Sequence, residues 1–248
     1  MKNVIYLLLM VLICCCSSKE ETSEQLSDVT IVREEDSNSN LPSDSNNSQN
    51  PATGSDEAQQ NSFPNGDSKV LFLGNSLTYF NDLPGLVEEA AAKNGYLVNA
   101  EMLAKPNYAI LDHWDEGEVQ QMIANGAYDY LVIQQGPSSQ EWGREVLFEY
   151  GVKYNALCSA NGVKLVYFMV WPSRAYYYTF PGVIKNYREA SINTSSILCP
   201  VGEVWKNHFD SSGNFSYYGS DGFHPSLEGS IVAAQVITNK LFPKSPKG

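Results

Sequence analysis

The stretch Lys69-Val70-Leu71-Phe72-Leu73-Gly74-Asn75-Ser76-Leu77-Thr78 sets the reading of the whole chain. Its four apolar residues run without alternation, as in a strand buried on both faces, the usual state of a parallel sheet with helices above and below. Gly74 and Asn75 then turn the chain, and a helix follows over Leu83 to Ala92, with Pro84 in its first turn and Asn94-Gly95 at its close. Outward from this unit the alternation continues. Strands are expected at Tyr96–Leu103, Tyr130–Ile133, Leu165–Val170 and from Ile197, with helices over Ile110–Ala124, Trp142–Ala160, 183–196 and Leu227–Leu241. Strand and helix in turn predict one parallel sheet covered on both faces, an α/β/α three-layer domain. In such sheets ligands bind beyond the carboxyl ends of the strands, so chemistry is expected just after strand ends.

The rest of the chain differs in kind. Of the net charge of −12, residues 17–66 carry −8, from ten acidic and two basic residues, while residues 67–248 carry only −5. The acidic stretch is rich in Ser, Asn, Asp, Glu and Gln and too poor in apolar residues to repay ordering, which predicts a disordered tether. Ahead of it, Lys2 precedes the apolar run Val4–Ile13 and the cluster Cys14-Cys15-Cys16. The run has the length of a secretory core and is too short for the ~20 residues of a spanning helix. Three segments follow: a signal over residues 1–16, a tether over 17–66 and a globular domain over 67–248. No basic footprint marks the domain, which argues against a nucleic-acid partner. A G-x-G-x-x-G or Walker loop is missing after the first strand, and Cys158 and Cys199 lack metal-ligand spacing, so neither a nucleotide cofactor nor a metal is expected. The two cysteines fit either a disulfide or buried thiols.

Ser76, two residues beyond the first strand and beside a glycine, is placed to act as a nucleophile, although Gly-Asn-Ser is also ordinary turn chemistry. Asp221-Gly222-Phe223-His224-Pro225-Ser226, just before the last helix, supplies the partners such a serine needs. His224 can take its proton and Asp221 can orient the imidazole.

These two blocks, in this order, resemble those of the SGNH/GDSL hydrolase superfamily, and the resemblance spans roughly residues 69–241. It implies a flavodoxin-like fold and a metal-free serine hydrolase with Ser76 as nucleophile, His224 as base and Asp221 as orienting acid. The first block reads Gly-Asn-Ser where the superfamily has Gly-Asp-Ser. The second usually provides a glycine N–H to the oxyanion hole; here Lys105-Pro106-Asn107-Tyr108 stands in its place, with Asn107 as the match. The third, usually Gly-x-Asn-Asp, reads Gln134-Gln135-Gly136-Pro137-Ser138-Ser139, similar to the corresponding block of carbohydrate acetylesterases. A glutamine amide then replaces that of the asparagine. Alternation sends adjacent side chains to opposite faces, so only one glutamine can serve: Gln135, nearer the loop, is favoured, with Gln134 in reserve.

Trp171, Arg174 and Tyr176 follow the fourth strand and are candidates for substrate binding by stacking and charge. Asp112-His113-Trp114, inside a helix and away from a strand end, reads as packing or positioning. The short apolar run ending at cysteine resembles the lipobox of a bacterial lipoprotein, with Cys16, followed by Ser-Ser-Lys-Glu-Glu as in the surface-export signal of Bacteroidota, favoured over Cys15 as the lipidated residue. The implied protein is an outer-membrane or cell-surface lipoprotein, with the periplasmic side as the alternative, membrane-bound only through its anchor, that removes acyl groups, acetyl foremost, from a carbohydrate or another small ester. A lipase- or thioesterase-like hydrolase and a non-catalytic glycan-binding protein on the same fold are the alternatives.

Overall fold

The computed structural model of the chain describes residues 66–244. The signal, both candidate lipidation cysteines and the tether up to residue 65 lie outside the described residues.

Five parallel strands form one sheet: β1 (Asp67–Gly74), β2 (Leu97–Ala104), β3 (Tyr130–Ile133), β4 (Lys164–Phe168) and β5 (Ile197–Cys199), in the order β2-β1-β3-β4-β5. Val70, Leu71, Phe72 and Leu73 are completely buried because β1 is an inner strand with helices on both faces, and each such side chain contributes about 1.5–3 kcal/mol by leaving water. Among the described residues eight α-helices connect and cover the strands: α1 (Ser76–Tyr79), α2 (Leu83–Ala92), α3 (Ile110–Glu116), α4 (Glu118–Asn125), α5 (Glu141–Ala160), α6 (Phe180–Asn193), α7 (Val201–Ser212) and α8 (Leu227–Leu241). From β1 the chain moves outward to β2, then crosses back to β3 and continues the other way. Right-handed crossovers on a sheet that reverses direction put the crossover helix between β1 and β2 on one face and the later crossover helices on the other. The packing follows: α2 lies against α8, whereas α3, α5 and α6 pack in series. The reversal opens a crevice at the carboxyl ends of β1 and β3, where Leu73 pairs in register with Ile133.

The helix expected over 110–124 is two helices, broken at Gly117, whose φ of 79° ends one and starts the next. The fourth strand ends at Phe168; Met169, Val170 and Trp171 stay fully buried beyond it, which is why the apolar run reads two residues long. The sequence reading assigned nothing to α7, an amphipathic helix that buries Val201, Trp205 and Phe209 at four-residue intervals. Cys158 and Cys199 are free thiols in the core, and burial pushes both up to about 12.

Candidate active site

Asn75 caps α1: its Oδ1 accepts from Leu77 N at 3.1 Å and its Nδ2 donates to Tyr108 O at 2.9 Å, tying the loop after β1 to the loop after β2. Thr78 N closes the turn on Asn75 O at 2.9 Å. Ser76 is therefore the first helical residue, half-buried, with a backbone N–H that has no acceptor inside the helix.

Across the crevice, His224 Nε2 lies 2.9 Å from Ser76 Oγ, and His224 Nδ1 lies 2.5 Å from Asp221 Oδ2. A carboxylate only accepts, which puts the imidazole proton on Nδ1 and leaves Nε2 to accept from the serine hydroxyl. Asp221 is held below the usual carboxylate range, first by its bond to His224 and next by the backbone N–H of Phe223. Its other oxygen takes both Phe223 N and His224 N at 2.9 Å, so one side chain shapes the loop and orients the ring. Phe80 stacks on the imidazole at 4.1 Å between centroids. The loop is pinned from outside as well: Trp171 Nε1 donates to Phe223 O at 2.9 Å and Arg174 N to Gly222 O at 2.7 Å.

The two remaining loops border the serine. Asn107 is exposed and left-handed, with φ of 62°, a conformation asparagine tolerates better than most residues, so the tight turn survives without glycine. The two glutamines differ. Gln134 is fully buried and committed: Oε1 accepts from Asn75 N and from Thr78 Oγ1, both at 2.9 Å, and Nε2 donates to Gln135 O at 3.0 Å. That argues against Gln134 as the reserve donor to an oxyanion: one of its two amide N–H groups is spent on Gln135 O, and the side chain has no surface open to a ligand. Gln135 spends only its oxygen, on Ile110 N at 2.8 Å; its Nε2 makes no hydrogen bond among the described residues. Its backbone is held by the Tyr187 hydroxyl from α6, and Asn186 Nδ2 holds Ser138 O at 2.7 Å.

Of the three residues expected at the substrate, only Tyr176 lines the cleft beside the serine and histidine. Trp171 is wholly buried, stacked on Trp205 at 3.5 Å, and offers no ring face to a ligand. It carries the loop of His224 instead. Tyr176 is 60% exposed and, with Pro137, Ser139, Gln140, Ser173, Tyr178 and Phe223, lines an open cleft of about 650 Å³. Phe223 joins that cleft to His224, its ring 5.2 Å from the imidazole. Arg174 is exposed beside the cleft, its guanidinium 4.5 Å over the Phe215 ring. A smaller hollow of about 340 Å³ lies between α2 and α8, away from these residues.

Sequence reasoning gave Asn75 no role beyond the turn, and it set His113 away from the strand ends. In fact His113 is completely buried, with Nε2 2.8 Å from Gly74 O at the end of β1. Burial lowers its pKa and keeps it neutral. Among the described residues no group of three or more His, Cys, Asp or Glu side chains is arranged to hold a metal ion.

No family model matches the chain, and no curated protein does. Solved structures do. A protein described as an SGNH hydrolase from Slackia heliotrinireducens is 21% identical with a TM-score of 0.61, over 71% of this chain and 99% of its own. The lipase/acylhydrolase from Enterococcus faecalis is 16% identical with a TM-score of 0.59, over 73% and 99%. An acetylxylan esterase from Geobacillus stearothermophilus is 15% identical with a TM-score of 0.50, over 70% and 93%. The likeness at these identities is one of architecture: the parallel five-stranded sheet with its flanking helices is the α/β fold of the SGNH hydrolases.

Proposed function

We propose that the chain is a serine ester hydrolase that removes acetyl groups from an uncharged carbohydrate. The observation that carries the reading is the 2.9 Å approach of Ser76 Oγ to His224 Nε2, with Asp221 on the opposite nitrogen, at the carboxyl end of β1. In this mechanism Ser76 Oγ attacks the ester carbonyl carbon as its proton passes to Nε2, and Asp221 stabilises the imidazolium. The proton then goes to the departing sugar oxygen as the ester C–O bond breaks, releasing the sugar hydroxyl and leaving an acetyl-serine. Water, giving a proton to His224, attacks the acetyl carbon; the bond to Ser76 Oγ breaks, acetate leaves, and the imidazolium returns the proton to the serine.

The tetrahedral oxyanion needs donors about 3 Å away, and Ser76 N, Asn107 N and Gln135 Nε2 fill that role. Support for the acyl-transfer class also comes from the acetylxylan esterase of similar fold, of which one serine variant and one histidine variant are described as catalytic mutants. The leaving group is assigned to the cleft beside Phe223. Aromatic faces alternate there with Ser139, Gln140, Ser173 and Thr179, and no acidic or basic side chain lines it. Such a lining suits a neutral sugar, whose ring faces stack and whose hydroxyls hydrogen-bond, better than an alkyl chain or an anion. Arg174 stands outside that lining. A lipid anchor on Cys16, or on Cys15, with residues 17–66 as tether would hold the enzyme at the outer membrane or cell surface, within reach of polymeric glycans.

The test is release of acetate from aryl acetate and from an acetylated neutral oligosaccharide, set against aryl esters of long acids. Hydrolysis of both acetates that vanishes in Ser76→Ala is the expected result. Activity confined to long-chain esters would overturn the substrate, and activity retained without Ser76 would overturn the mechanism.

A further inference from the structure

One peptide group, Gly74–Asn75, lies one link before the Asn75–Ser76 peptide that carries the serine N–H, and both of its poles are gripped by buried side chains from other elements. Its carbonyl accepts from His113 Nε2 on α3 at 2.8 Å, in addition to Lys105 N, just past the end of β2, at 3.2 Å. Its N–H donates to Gln134 Oε1, at the end of β3, at 2.9 Å. Both side chains are completely buried. A carbonyl only accepts, so Nε2 of His113 carries the proton, and Nδ1 is left without a partner. An orphaned buried nitrogen costs stability, roughly 1–3 kcal/mol for a polar group of this kind, and an apolar residue would avoid that cost. The ring is explained by what its other nitrogen holds.

Gln134 carries the same signature of placement. Its oxygen takes two donors, Asn75 N and Thr78 Oγ1, one on each side of the serine, and its nitrogen is tied back to Gln135 O. The space left for it is exact to an atom: a Cβ at Gly74 would stand 2.5 Å from Gln134 Oε1 and 2.4 Å from Thr78 Oγ1. Glycine is required at position 74 so that the amide can reach the peptide.

We infer that His113 and Gln134 are positioning residues that clamp the two ends of the Gly74–Asn75 peptide and so fix the direction of the Ser76 N–H and Oγ. The inference rests on Ser76 being the nucleophile. A peptide plane held at both poles cannot rotate, and rotation there would change φ at Asn75 and so displace the following Asn75–Ser76 peptide, moving the serine N–H relative to the oxyanion and Oγ relative to Nε2. Neither side chain touches substrate, so binding is unaffected. Displacement of a reacting group by about 1 Å costs on the order of 10²-fold in turnover, which sets the effect to be sought.

The experiment is steady-state hydrolysis of an aryl acetate by the full chain carrying His113→Met, His113→Gln, Gln134→Met or Gln134→Glu, with Ser76→Ala alongside and far-UV circular dichroism on each. Both methionine variants should lower kcat by about 10²-fold with KM changed by less than about threefold. His113→Gln, which restores an N–H donor, should recover most of that loss. Gln134→Glu keeps the acceptor oxygen and, when protonated, also a donor to Gln135 O, so its kcat relative to wild type should fall as pH rises. A merely structural role would not produce either the rescue or the pH-dependent ratio. Folded methionine variants with wild-type kcat overturn the clamp. Should the methionine variants not fold, a Gln134→Glu ratio that stays flat with pH overturns it equally. Loss of all hydrolysis in Ser76→Ala beside unchanged kcat in the other variants rejects the clamp alone, whereas hydrolysis by Ser76→Ala rejects the nucleophile on which it rests.

Discussion

Two loops at the same end of the sheet are built in opposite ways. In the loop after β1, residues 74–78, nearly every polar group has a named partner: Gly74 O, Asn75 N and both ends of the Asn75 amide are all spent on neighbouring elements. The loop after β4 begins with the buried Trp171 but then puts Tyr176 and Tyr178 into solvent at 60% and 76% exposure. The first loop has its order fixed before any substrate arrives, which is what acyl transfer asks of a nucleophile. The second offers aromatic area on the open side of a cleft, which is what recognition asks. The comparison teaches that lying at the carboxyl edge selects neither role; the partners of each side chain do.

That contrast breaks most visibly at the serine. Ser76→Ala should reduce kcat for an aryl acetate by about 10⁴-fold or more, with folding intact, and His224→Ala should do the same. A surviving rate would mean that the ordered loop serves something other than nucleophilic attack. Next comes the buried start of the second loop. Trp171→Ala removes the stack on Trp205 and the donor to Phe223 O, and should cost about 3–5 kcal/mol in denaturant unfolding. A cost near zero, with a raised KM instead, would restore Trp171 as a substrate-facing residue.

Gln135→Glu keeps an oxygen for Ile110 N while removing the free amide N–H, so it should lower kcat by roughly 10²-fold with little change in KM. An unchanged kcat would leave the oxyanion to backbone donors alone. Tyr176→Ala acts on the recognition side, and loss of one stacking face, worth about 0.5–1.5 kcal/mol, should raise KM for an acetylated oligosaccharide by up to about tenfold. A drop in kcat instead would move Tyr176 into the chemical step.

The smallest effect is one of pH on stability. Burial lowers the His113 pKa below its ordinary value near 6.5, so the unfolded chain takes up a proton there before the folded one does. The contribution is complete above the unfolded value and is lost as pH falls from about 6.5 through the folded value. Melting temperature should decline over that window, and less steeply in His113→Gln. Equal slopes would show that the buried ring does not govern it.

What the sequence made legible follows from range. Ser76 is legible because a buried apolar run and a turn place it within four residues, and Asp221 and His224 because they share one short loop. Gln134 and Gln135 lie past the last residue of β3 and both are buried, so what tells them apart is their partners, Asn75 and Thr78 for one and Ile110 for the other, which local alternation does not encode. Trp171 was misread because its direction depends on Trp205, which belongs to α7, and α7 follows a short edge strand with no cap signal ahead of it. His113 was set apart from the strand ends because α3 folds back under Gly74, a contact between residues 39 apart that no local pattern encodes. Asn75 reads as turn chemistry, and its hold on Tyr108 O likewise exists only once β1 and β2 are paired.

The most direct test of the central claim is covalent. Incubation of the full chain with a fluorophosphonate ester, followed by peptide mass spectrometry, should give one phosphonylated residue, Ser76, with fluoride lost and no labelling in His224→Ala. A chain that stays unlabelled while folded, or that is labelled at any residue other than Ser76, would contradict the account.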